Sequence, residues 1–165
     1  MSQSGPLSSS SGSSGSGEFI QQVRSSLTEY LVIGTTMPLG DTIPTTADGT
    51  QIFSLAITPT SSSSILRIQA NISIWNAATA SNLISYALFD GGTDAIASSM
   101  VVDSGSADAW MLTMDYFMTA GTTSQIIFTI RAGGINPPIN INGAFGSRWG
   151  GGTLTSTMYI TEMAT

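Results

Sequence analysis

The chain has 165 residues, four basic and ten acidic, giving a net charge of −6 at pH 7, and it contains neither histidine nor cysteine. All four basic residues are arginines (Arg24, Arg67, Arg131 and Arg148), so Ser-His and Cys-His nucleophile pairs, imidazole or thiolate metal sites, disulfides and lysine Schiff bases are excluded. With 41% hydrophobic and only 8% charged residues, the surface is made polar by hydroxyls and amides, the composition of a binding or structural part without a cofactor, and a poor match to nucleic acid.

Residues 1–18, MSQSGPLSSSSGSSGSGE, form a Ser/Gly stretch that behaves as a flexible linker. The Gly17-Glu18-Phe19 junction matches what an inserted restriction site leaves behind, so the stretch reads as a cloning scar; a natural linker to an upstream domain is the alternative. Residues 19–165 are then expected to form a single domain. Within them, alternation of apolar and polar residues predicts strands over 51–58, 65–75, 81–89, 95–102, 109–119, 124–131 and 153–163. The clearest is 65–75, where Leu66, Ile68, Ala70, Ile72 and Ile74 point one way and Arg67, Gln69, Asn71 and Ser73 the other, a strand with one wet face. Turn signals separate these runs at Asp48-Gly49, Asp90-Gly91-Gly92, Ala120-Gly121, Gly133-Gly134, Pro137-Pro138 and Gly150-Gly151-Gly152. Residues 76–84 are the only short helical candidate. The expected fold is all-β, an antiparallel β-sandwich of eight or nine strands, with a jelly roll the favoured arrangement.

Two of these strands are apolar on both faces. In 109–118, Met111 and Phe117 oppose the row Trp110, Leu112, Met114, Tyr116 and Met118; in 153–163, Tyr159 and Met163 oppose Leu154, Met158 and Ile160. Such strands need cover on both sides. Met111, Phe117, Tyr159 and Met163 are therefore candidates for contact with other copies of the chain, a deeper core or a covering loop being the alternative.

The remaining chemistry is sparse. Asp103, Asp108 and Asp115 are the nearest carboxylates for glycoside hydrolysis, which needs two held about 5–9.5 Å apart, although Asp103-Ser-Gly-Ser-Ala-Asp108 also reads as a turn. Asp90-Gly-Gly-Thr-Asp94 offers the oxygen ligands calcium prefers without matching a full EF-hand, and Asp with Gly is also what a hairpin loop requires. Glycan binding is the sharpest reading, because sugars are held by aromatic faces and amide hydrogen bonds. Its candidates are Trp75 and Asn76 at a strand end, Arg148 and Trp149 beside three glycines, and Asn142 with Asn140 in the preceding loop. Tryptophan buried in a core or interface is the competing reading. No apolar run reaches the roughly 20 residues needed to span a bilayer, so membrane insertion is not expected, and no signal-peptide pattern opens the chain.

Several segments together resemble a family of phage and prophage virion β-domains. They are Gln22-Val23-Arg24, the run DTIPTTADGTQIFSLAITP from Asp41 to Pro59, Met118–Ser124 with Ile130–Gly133, and Arg148–Gly152 followed by Met158–Glu162. The matches span most of residues 20–163. The resemblance implies a small, usually trimeric knob at the tip of a tail fibre, tail needle or head fibre, with a jelly roll similar to tumour-necrosis-factor domains. It further implies a non-catalytic structural protein of the virion, made in the bacterial host cytoplasm and serving host attachment, with a host surface glycan as possible partner. Thr45-Thr46-Ala47 departs from the family pattern, so no function carries over to that loop. A jelly-roll lectin module is the alternative reading, and a carboxylate glycosidase the third.

Overall fold

In a computed structural model of the chain, the structure describes residues 17–38, 40–76, 81–105 and 108–165. Among them twelve strands form: β1 (Phe19–Leu27), β2 (Leu31–Ile33), β3 (Thr50–Ile57), β4 (Ile65–Asn76), β5 (Asn82–Phe89) and β6 (Ala97–Asp103), then β7 (Ala109–Thr119), β8 (Ile126–Gly134), β9 (Ile139–Ile141), β10 (Gly143–Ala144), β11 (Ser147–Arg148) and β12 (Ser156–Met163). The alternating 65–75 run becomes the long central strand β4, and its whole length pairs antiparallel with β7. On its other side β12 pairs with Ile65–Asn71 and the short β9 with Ile74–Asn76, so two strands share one lane. In the next lane β1 pairs with β12 and β2 with β9. The first sheet thus has four lanes, β1/β2, β12/β9, β4 and β7, and the second has the order β3-β8-β5-β6.

The chain passes repeatedly from one sheet to the other, β3 to β4, β5 and β6 to β7, β8 to β12, in the manner of a jelly-roll sandwich. The expected fold class is therefore present, with more strands than the eight or nine expected. The excess arises because a turn at 28–30 splits the first lane, an excursion over 142–155 splits the second, and that excursion carries the two-residue hairpin strands β10 and β11. Residues 82–84 of the helical candidate open β5 instead, and 77–80 lie outside the described residues.

Between the sheets lies one core. Leu66, Ile68, Ile72 and Ile74 of β4, with Met158 and Ile160 of β12, meet Ile84, Tyr86 and Leu88 of β5 and Phe128 and Ile130 of β8. Each fully buried side chain of this size contributes about 1.5–3 kcal/mol relative to exposure. A second, small cluster of Met37, Ala87 and Phe89 covers part of the outer face of the second sheet. It requires glycine at position 133, where a Cβ would stand 2.7 Å from the Thr35 carbonyl oxygen. The loop leading from Asp41 into β3 is held by two side chains: the Asp48 carboxylate accepts from Thr45 N and Oγ1, while the Arg131 guanidinium of β8 donates to the carbonyls of Asp48 and Gly49.

Candidate functional site

All three tryptophans of the chain line one hollow at one end of the first sheet. Trp75 closes β4 on the outward side. After β9 the backbone turns at Asn142 (φ 58°) and enters the β10–β11 hairpin. Position 143 must be glycine, because a Cβ there would lie 2.2 Å from the Ser147 carbonyl oxygen across the ribbon. At the tip, Phe145 and Gly146 both have positive φ (52° and 77°), as the tight two-residue hairpin turn demands. A bulky aromatic residue rarely adopts that conformation. The chain leaves the hairpin at Trp149 and folds back through a short 3-10 turn at Gly150–Gly152.

The result is an aromatic corner. The rings of Trp75 and Trp149 lie 4.9 Å apart at 67°, those of Trp75 and Phe145 5.4 Å apart at 65°, and those of Phe145 and Trp149 6.4 Å apart at 37°. Edge-to-face pairs of this kind contribute about 0.5–1.5 kcal/mol each, yet Phe145 is still 79% exposed and Trp149 38%. Beside them opens a hollow of about 270 Å3, walled mainly by Trp75, Trp110, Met111, Trp149 and Leu154, with Ser73 on its rim. The Trp110 Nε1 is buried and meets no acceptor.

Of the six residues the sequence nominated for glycan contact, Trp75 and Trp149 come together here although 74 positions separate them. Phe145 joins them without having been nominated; the local signal was an aromatic before glycine between two very short strands. Asn76 and Asn142 are fully buried and braced internally. Asn76 donates to the Asp103 carboxylate and accepts from Asn82, whereas Asn142 donates to the Leu27 and Glu29 carbonyls and accepts from Ser156. Both support the corner from behind and neither presents a free amide to the hollow. Asn140 likewise accepts from the Tyr30 hydroxyl. Arg148 is exposed and its guanidinium lies over Gly152, where a Cβ would come within 2.8 Å of it.

The carboxylates do not converge as a trio. Asp103 is buried and accepts from Asn76 and from Gly105 N; the Asp108 carbonyl accepts from Asn76 N. Asp115 sits opposite Gln69, seven residues along β4 from Asn76, roughly 23 Å away at about 3.3 Å per residue. That separation far exceeds what glycoside hydrolysis uses. Asp115 instead forms a two-pronged ion pair with Arg67 (2.8 and 2.6 Å), whose guanidinium holds its carboxyl below the usual carboxylate range. Asp90 caps its own turn by accepting from Gly92 N, and Asp94 bridges to Thr45 through the backbone. Among the described residues no group of three or more carboxylates is clustered.

Met111 and Phe117 are about half exposed on the outward face of the first sheet, and Tyr159 and Met163 are partly buried on the same face. The register spreads them: Met111 lies opposite Ser73, Phe117 opposite Arg67, Tyr159 opposite Gln69 and Met163 opposite Ile65. Met111 also lines the aromatic hollow, the Arg67 guanidinium stands 5.3 Å from the centre of the Phe117 ring, and Tyr159 shares a polar hollow of about 280 Å3 with Gln22, Gln69 and Asn71.

Fold and site thus define a jelly-roll sandwich with an exposed aromatic corner. No protein-family model matches the chain, and no curated protein matches it. Among solved structures, a similar chain comes from the work described as "Bacillus endospore appendages form a novel family of disulfide-linked pili", with 11% identity over 96% of this chain and 100% of that one. Its TM-score of 0.29 is too low to carry an argument about fold or function. Among the described residues no helix is long and apolar enough to cross a membrane.

Proposed function

We propose that this chain is a non-catalytic structural knob of a phage virion, assembled as a homotrimer, which contacts a host surface glycan through the aromatic corner. The observation that carries the reading is the outward face of the first sheet, where Phe117 stands half exposed at the same end as Met163, in a chain with only 8% charged residues. Apolar side chains gathered at one end of a strand face favour cover by other copies of the chain. The sequence resemblance to virion β-domains supplies the trimer and the particle, and the antiparallel sandwich supports the reading as the fold class that the resemblance implies. Light scattering of the intact chain tests the assembly: a mass near three times 17.1 kDa is expected, falling toward one copy in a Phe117→Thr/Met163→Thr variant. A wild-type chain that stays monomeric at micromolar concentration refutes the knob.

A free-standing jelly-roll lectin is the second reading. The corner itself favours it, since three clustered aromatic rings need no particle to bind a sugar.

A further inference from the structure

The aromatic corner can be read for the kind of sugar it takes, an inference that rests on the attachment reading above. The walls of the hollow carry no charged side chain; Ser73 supplies the one hydroxyl, and the rest is aromatic, aliphatic or backbone. The nearest cation in sequence, Arg148, is not among the residues that line it. A carboxylate entering this hollow would give up water without gaining a partner, a cost of several kcal/mol on transfer to apolar surroundings. Trp75 and Trp149 meet at 67°, one ring forming a floor and the other a wall, and the exposed Phe145 extends the corner outward. A floor and wall of this kind suit a ring whose two faces present C–H bonds, with hydroxyls directed to its rim. At about 270 Å3 the hollow falls below the roughly 300 Å3 at which pockets for drug-sized ligands begin, so it holds one terminal ring.

We infer that the corner binds an uncharged pyranose with equatorial substituents and rejects acidic sugars. The ring lies against Trp149 and Trp75, its rim hydroxyls remain hydrated or meet Ser73, and Phe145 covers the neighbouring ring of the same oligosaccharide. Because every tryptophan in the chain lines this hollow, intrinsic fluorescence reports on it without a label.

The test titrates the intact chain with three probes: cellotriose, whose substituents are all equatorial; its C6-oxidised tri-uronate; and β-1,4-linked galactotriose, whose O4 is axial. A saturable fluorescence change with cellotriose is expected, at least about tenfold weaker with each of the others. Trp149→Ala should weaken cellotriose about 30-fold, the effect of losing a central aromatic anchor. Phe145→Ala, at a position 79% exposed, should weaken it less while still melting in one cooperative transition, so a folding failure in the first variant does not decide the matter. Equal or tighter binding of the uronate overturns the inference and leaves the corner a glycan site. No response to any probe overturns the inference and attachment at this corner together, while the light-scattering result stands by itself. A change of molecular mass in the Phe145→Ala or Trp149→Ala chain assigns the corner to contact between copies and also overturns the inference.

Discussion

Glu162 offers the sharpest test of how the sandwich is held shut. It occupies an inward position of β12 and is fully buried, yet among the described residues no cation pairs with it. Its carboxylate accepts from Thr60 N and Oγ1 at 2.8 and 2.7 Å and from Gln21 Nε2 at 2.6 Å, which ties β1, the β3–β4 loop and β12 at one point. Burial alone would raise its pKa; the donors from Gln21, Ser64 and Thr60 outweigh that and hold it at about 2 against an ordinary 4.5. A carboxyl depressed in the folded state contributes stability above its unfolded pKa, lost as pH falls through the folded one. The window is therefore pH 4.5 down to 2, and the contribution at neutral pH is at most about 3 kcal/mol, at 1.36 kcal/mol per pKa unit. Glu162→Gln keeps one acceptor and places an amide N–H against donors, so it should cost about 2–3 kcal/mol, or roughly 5–10 °C in Tm for a domain of this size. Urea denaturation of both chains from pH 7 to pH 2 reads the effect. The two stability curves should converge below pH 4.5, as the wild type loses the Glu162 contribution on top of the acid sensitivity that both chains share. Parallel curves, or a variant within 1 °C of wild type at neutral pH by this roughly 5–10 °C scale, refute the reasoning.

Two substitutions in the hairpin probe the corner from opposite directions. Phe145→Asn gives the turn the Asn-Gly pair it favours at positive φ and should raise stability by about 1 kcal/mol in thermal melts while reducing sugar binding; a fall in stability shows that the Phe145 ring contributes more by packing than its backbone loses. Gly143→Ala drives a methyl into the Ser147 carbonyl and should displace Trp149 from Trp75, seen as a red-shifted tryptophan emission with a loss of about 2 kcal/mol or more; an unchanged spectrum removes the hairpin as the element that positions Trp149.

The strands legible in the sequence are runs rich in β-branched and aromatic residues bounded by turn signals, most of them eight or more residues long. β4 is the extreme case, and its inward row is buried as its pattern says. β1 was not legible because its inward positions hold Gln21, Val23, Ser25 and Leu27, so half the row is polar; Gln21 is there to serve Glu162. β9 is too short for any period to register, and its Asn140 is buried beside isoleucines. The aromatic corner was half legible. Tryptophan at a strand end and tryptophan beside three glycines each carry a local signal, but their contact depends on β9 running in register with the end of β4. Asn76 and Asn142 were misleading for the same reason: an amide serves a ligand or its own fold according to neighbours that lie far away in the chain.

That register also separates the two activities assigned to one sheet face. Trp75 and Met111 lie at one end of it, Phe117 and Met163 at the other, and six residues of β7 between Met111 and Phe117 put about 20 Å between the ends. Between them the face carries Arg24 of β1 and the Arg67–Asp115 pair, an exposed pair worth less than about 1 kcal/mol. Copies that meet through the Phe117 end would therefore leave the corner open and point several corners outward from one axis. A weak single-ring site then gains from multiplicity, since linked sites bind a repeated surface far more tightly than any one of them. The shallow hollow is consistent with that arrangement: a site used several at a time does not need the depth that a lone receptor pocket requires.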